Sequence, residues 1–160
     1  MSKITQRISP FLWFDTQAEE AVNFYTSIFE DSKIVSIMRC GDAGPGPKGS
    51  VLTIAFQLAG QQFVALNGGP HVKFNDGVSF VVNCETQEEV DRYWDLLTAG
   101  GQVVECGWLK DKFGLSWQVT PTVLIEMIHD PDTARADRVM KAMMQMKKLE
   151  IAPLQRAYQG

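Results

Sequence analysis

The chain of 160 residues is short of several features at once, and each shortage excludes something. No apolar run approaches the ~20 residues that a membrane span needs. The opening "MSKITQRISP" has no apolar h-region, so no signal peptide is expected. The three cysteines, Cys40, Cys84 and Cys106, are odd in number and never form C-x-x-C. That gives neither a disulfide framework nor a zinc knuckle and fits reduced thiols in the cytoplasm. There are two histidines, His71 and His129, both away from the strand motifs, so no Ser-His-Asp or Cys-His arrangement is expected. Positive charge is not in excess: the formal net charge is −4, which argues against a nucleic-acid or anionic-membrane partner.

What remains is ordinary globular material, 45% hydrophobic and 21% charged, enough for one domain with a real core. The order of elements carries more information. "RISPFLWFD" (Arg7 to Asp15) reads as a strand, apolar on both parities and so covered on both faces. A helix is expected from about Thr16 to Phe29, with Thr16 as N-cap and Glu19 completing a capping box. Its residues Ala18, Ala21, Val22, Tyr25, Ile28 and Phe29 recur at three- and four-residue steps. "KIVSIMRC" is a strand, and "GDAGPGPKG" is a loop. "SVLTIAFQL" alternates, with Leu52, Ile54, Phe56 and Leu58 on one face and Thr53, Ala55 and Gln57 on the other. "AGQQ" then turns the chain into "FVALN" as a hairpin.

The second half repeats the order. "GVSFVVNC" is a strand, "ETQEEVDRYWDLLTAGG" a capped helix stopped by Gly100 and Gly101, and "QVVEC", "GWLKD" and "GLSWQVT" are short strands. The helix starts share letters, "DTQAEEAVNFY" against "ETQEEVDRYW", which makes an internal duplication of β-α-β-β-β the strongest inference. The fold class is therefore α+β. It comprises two βαβββ modules of curved mixed sheets (about 7–67 and about 77–120) in one domain, with a helical extension over about 121–160. In the extension, Thr120 caps a short helix with Pro121 at its first position, a strand being the alternative. Asp132 caps a longer helix whose Val139, Met140, Met143, Met144 and Met146 form an adaptable face, and "IAPLQRAY" forms one last turn.

In "FGLSWQVTP", Ser116, Gln118 and Thr120 share one face, and Trp117 takes the parity that packs under helices. Ser79, Ser116 and Gln118 have the same inward parity as Thr53 and Gln57. Together they make a polar pocket floor for a small organic ligand, the alternative being a solvated sheet face. Trp108 joins the pocket lining. His71 falls in a connecting loop, where exposure is expected although it can lean over a pocket mouth, and His129 suits a helix C-terminus. Cys106, near Lys110 and Lys112, is the best thiol candidate against the commoner inert cysteine. Glu126, in "VLIEMI", is read as an exposed stripe rather than a buried acid.

Paired βαβββ modules, the "AEEAVNFYTSIF" helix and the "KDKFGLSWQV" ending resemble the vicinal-oxygen-chelate (glyoxalase/bleomycin-resistance) superfamily. The nearer resemblance is to its PhnB-like branch, whose members are often called 3-demethylubiquinone-9 3-methyltransferases. The resemblance implies a pocket between modules and, in many members, one divalent metal held from the first and last strand of each module for Lewis-acid catalysis. It places those positions at Pro10, at Ala65 (or Val64 one residue away), at Ser79 and at Gln118. Such a cation wants oxygen or imidazole ligands, which Pro10 and Ala65 lack and which Ser79 and Gln118 supply weakly. The resemblance thus implies a homodimer that binds a small molecule, with no cofactor expected. The alternatives are a metal-dependent isomerase, lyase or dioxygenase, and a methyltransferase acting on a ubiquinone precursor.

Overall fold

A computed structural model describes residues 6–160. Residues 1–5, part of the stretch read above for a signal peptide, lie outside the described residues. The chain forms two compact units, one ending at Lys73 and the other running from Phe74 to Gly160.

The first unit contains β1 (Phe11–Phe14), α1 (Ala18–Ile28), β2 (Lys33–Arg39), β3 (Val51–Leu58) and β4 (Gln61–Asn67). Its sheet has the order β1-β4-β3-β2, with β1 parallel to β4 and the other pairs antiparallel. Side chains alternate across a strand, so one parity must supply the core. Leu12, Phe14, Ile54, Phe56, Leu58, Phe63 and Ala65 do so. They share the core with the fully buried stripe of α1, which includes Ala21, Val22 and Tyr25. The hairpin between β3 and β4 turns at Ala59 and Gly60, both at positive φ (46° and 79°), as a tight two-residue turn requires. Ser32 and Asp31 brace it: the Ala59 amide donates to Ser32 Oγ and the Gly60 amide to the Asp31 carbonyl.

Two expectations fail here. The first strand is not covered on both faces, because Phe11 is 58% exposed. Thr16 does not cap α1 either. The helix starts at Ala18 after Gln17, which makes no side-chain cap. The Ala18 amide instead donates to Asn67 Oδ1 at 2.8 Å, from the end of β4. A distant side chain supplies the acceptor that the capping box was expected to supply.

The second unit contains β5 (Ser79–Cys84), α2 (Gln87–Thr98), β6 (Gln102–Val103), β7 (Trp108–Lys110) and β8 (Ser116–Pro121). Its sheet order, β5-β8-β7-β6, repeats the first, again with the outer first strand parallel to the last. Val82, Cys84, Leu109, Trp117 and Val119 are buried, as are Val90, Trp94 and Leu97 of α2. Burial first, then the nearby Glu89 carboxylate, pushes the Cys84 thiol up to about 12. Here the cap is local: Thr86 Oγ1 accepts from the Glu89 amide, and Glu89 reaches back to the Glu85 amide.

Three helices complete this unit: α3 (Thr122–Ile128), α4 (Thr133–Met143) and α5 (Ile151–Gln159). Thr120 is a buried residue of β8 rather than a cap, and α3 begins after Pro121. Asp132 caps α4 through the Ala134 and Arg135 amides. The segment expected to form one last turn is instead a helix of nine residues. Its carbonyl end is held by Arg138, which donates to the Ala157 and Tyr158 carbonyls, a cation where the helix dipole favours one. Leu124, Met127, Val139, Leu149 and Leu154 form the core of the extension, with Met143 and Met146 packed on it while Met144 is 60% exposed.

The turn between β7 and β8 depends on Asp111, a carboxylate only 3% exposed. Its Oδ1 accepts from the Phe113 and Leu115 amides, and its Oδ2 from Trp117 Nε1 at 2.9 Å. Charge-assisted bonds of this kind are the stronger class, and removing the acceptor strands buried donors. Asp111→Ala is expected to cost about 3 kcal/mol in denaturant unfolding and to change Trp117 fluorescence; a loss below about 1 kcal/mol would contradict this role.

Candidate functional site

The structure divides the eight positions read from the sequence as pocket lining. In the second unit four of them share a face. Ser79 pairs with Ser116 and Trp108 with Gln118 in register, and Gln118 Nε2 donates to Ser79 Oγ at 3.0 Å. Ser116, fully buried, donates to Asp76 Oδ1 at 2.9 Å, and Lys110 approaches the same oxygen at 3.2 Å. The Ser116 bond first, then Lys110, holds the exposed Asp76 carboxyl below its ordinary value. This row is a set of polar groups that largely satisfy one another.

In the first unit the positions separate. Thr53 and Gln57 lie on the face opposite α1, as does Val64. Ala65 has the other parity and is fully buried, so of the two residues considered for the last strand Val64 is the one on the open face. Pro10 precedes β1 with the parity of buried Leu12, and its carbonyl accepts from the Val64 amide. Gln57 braces the nearby turn, donating to the Asp31 carbonyl and carboxylate.

The donor set can be compared with the divalent metal that the fold implies. Pro10 and Ala65 present no side-chain donor atom, and the Ser79 hydroxyl and Gln118 amide are bonded to each other. Hard or borderline cations bind carboxylate or imidazole far better than hydroxyl or carboxamide. These residues do not fit such an ion. Among the described residues, no three His, Cys, Asp or Glu side chains gather as ligands elsewhere.

A cleft of about 790 Å³ lies in the first unit, lined by Trp13, Asp15, Glu19, Cys40, Val51, Leu66, Asn67 and His71 among others. None of the eight positions lines it, although Thr53 adjoins it as the register partner of Leu66. Its walls follow from local structure. At one side Asn67 ties three elements together, accepting from Ala18 at the start of α1 and donating to the Val51 carbonyl of β3. The chain then leaves β4 through Gly68 and Gly69, whose amides donate to the Phe14 and Asp15 carbonyls. Trp13 Nε1 donates to the Gly69 carbonyl at 2.9 Å, which fixes the indole. At the other side the loop after β2 folds back. The Cys40 amide donates to Ser50, the Gly49 amide to Cys40, and Ser50 Oγ to Pro47, so that Pro45, Gly46 and Pro47 form a wall.

His71 is exposed, as its loop position suggested, and lines this cleft. His129 is exposed with Nδ1 at 2.7 Å from the Ile125 carbonyl, at the end of α3. Glu126 is exposed. Cys106 is half-buried at φ 58°, its amide bonded to the Met146 carbonyl. Trp13, Asn67 and the proline wall were missed by sequence reasoning. The signal was present in "NGGP" directly after a strand and in two prolines inside a glycine loop, both marks of a fixed backbone path.

The two units share a strand–helix–three-strand order and sheets of the same topology, which defines a glyoxalase-like fold. A family model described as 3-demethylubiquinone-9 3-methyltransferase matches residues 6–120, and the chain belongs to this PhnB-like family of the vicinal-oxygen-chelate superfamily. The PhnB protein from Bacillus cereus, whose description carries the same methyltransferase name, is 41% identical. The match covers 72% of this chain and 99% of that one, with a TM-score of 0.67. Protein PA1353 from Pseudomonas aeruginosa shares the fold at 22% identity (73% and 98% covered, TM-score 0.61). So does the fosfomycin resistance protein FosX from Listeria monocytogenes at 16% identity (78% and 97% covered, TM-score 0.57). No curated protein matches the chain.

Gly68 gives a direct test of the cleft wall. A Cβ there would lie 2.3 Å from the Trp13 ring, closer than any side-chain contact allows. Gly68→Ala is expected to displace the indole, to cost about 1–3 kcal/mol as overpacking does, and to alter the near-ultraviolet circular dichroism of Trp13. Unchanged stability and spectrum would show that the indole does not pack on this backbone.

Proposed function

We propose that this protein binds a small organic molecule in the cleft of its first unit, without the divalent metal used by many relatives. The observation that carries the proposal is the cleft itself. It has the size of a ligand pocket, apolar and aromatic walls from Trp13, Val51, Leu66, Pro45 and Pro47, and a few polar groups around them. The family's methyltransferase name gains no separate support from the chain. The strand-to-helix connections of both units, residues 15–17 and 85–86, contain no glycine, whereas a methyl-donor site of the doubly wound type places a glycine-rich turn there.

Crystals of protein stripped with EDTA and soaked with a diverse fragment set test this reading. Fragments should collect in the cleft beside Trp13, and the stripped protein should keep its melting temperature. An empty cleft with fragments elsewhere would overturn the site. A stoichiometric metal in untreated protein whose removal lowers the melting temperature would overturn the metal-free part.

The proposal includes a homodimer. Edge strand β2 supports this, because all seven of its residues are exposed, including Ile34, Val35, Ile37 and Met38. An uncovered apolar edge is a liability that pairing removes. Light scattering should give twice the 17.9 kDa chain mass, and Val35→Lys with Met38→Lys should halve it. A monomeric unaltered protein would refute this part.

A further inference from the structure

We infer that the cleft selects positively charged, amine-bearing molecules with an aromatic or apolar body, and disfavours carboxylates and phosphates. The inference rests on reading the cleft as a ligand site, and it follows from which polar groups there are already engaged. Several backbone donors beside the cleft are used: the Gly68 and Gly69 amides bond to the Phe14 and Asp15 carbonyls, and the Ala18 amide at the start of α1 bonds to Asn67. Asn67 Nδ2 donates to the Val51 carbonyl, and Ser50 Oγ donates to the Pro47 carbonyl. The positive end of the α1 dipole already faces Glu19 and Glu20 in its first turn.

Apart from the His71 imidazole, the charged groups that remain have one sign. Asp15 and Glu19 line the cleft, and neither carboxylate has a hydrogen-bond or ion-pair partner among the described residues. Among the described residues, no lysine or arginine lines it. The cations of the loop after β2 and of the strand end before it are engaged, Lys48 with Asp42 at 3.0 Å and Arg39 with the Gly49 carbonyl at 3.2 Å. Trp13 adds the aromatic ring type that attracts a cation most strongly. Both acidic residues are exposed and share the cleft lining with apolar walls that would take the body of the ligand. An ammonium group beside them therefore meets carboxylates, while a carboxylate there meets like charge.

Calorimetry near neutral pH with tryptamine and indole-3-propionate, which share a ring and differ in charge sign, tests the inference. Exposed ion pairs are individually weak, so tryptamine should bind on the order of threefold to tenfold tighter. Asp15→Asn with Glu19→Gln should remove most of that preference. Both side chains are exposed, so the double variant should keep its fold, which its melting temperature checks. Equal or tighter binding of the propionate, or a preference that survives the double variant, would overturn the inference and leave the cleft standing as a site. Failure of both probes to bind while fragments occupy the cleft in crystals would also overturn the inference alone. Failure of both together with a cleft that collects no fragments would overturn the site reading as well.

Discussion

Each strand–helix–three-strand set has one helix, α1 or α2, to cover one face of its four-stranded sheet, and the rest of the structure depends on that constraint. A residue of one parity is sealed under the helix, and its neighbour is left on the open face. Phe56 and Trp117 are core for this reason, whereas Thr53 and Gln118 are not. The same constraint decides between Ala65 and Val64, adjacent small apolar residues that sequence pattern alone cannot separate. Ala65 falls on the helix side because it pairs with Ile54 and Leu12.

Two side chains let the backbone turn where ladder hydrogen bonds run out. Asn67 serves three elements of the first unit, and Asp111 collects two amides and an indole in the second. Both are short polar residues placed where their atoms meet orphaned backbone groups, which is why the burial of Asp111 and the half-burial of Asn67 are tolerable. In the first unit this arrangement also produces a cleft. The same bonds that fix the Gly68–Gly69 path and the Trp13 ring engage several of the local donors, while the acidic Asp15 and Glu19 line the cleft.

Much of the fold was legible in the sequence because it repeats. The shared start of α1 and α2, the alternation of β3 and β8, and the Asp132 cap all depend on neighbours within a few residues. What misled was equally local. Thr16 and Glu19 have the spacing of a capping box, yet an acceptor 49 residues away in sequence takes the Ala18 amide. Thr120 looked like a cap and is instead held inside β8 by its parallel pairing with β5. The site was the least legible part. Of the residues lining the cleft, only His71 had been given a possible place at a pocket, because the others look like loop and core residues one at a time.

The sequence by itself determined the two βαβββ units, their apolar parity, the helical extension and a donor set poorly suited to a divalent cation. These rest on periodicity, capping chemistry and side-chain identity, all of which are local. Only the tertiary structure decided that Gln118 spends its amide on Ser79, that Asn67 starts a helix from another strand, and that the glycine–proline loop and "NGGP" wall a cleft around Trp13. Those outcomes depend on which strands pair and in what register. Long-range hydrogen bonding sets that pairing, and no short window of sequence contains both partners.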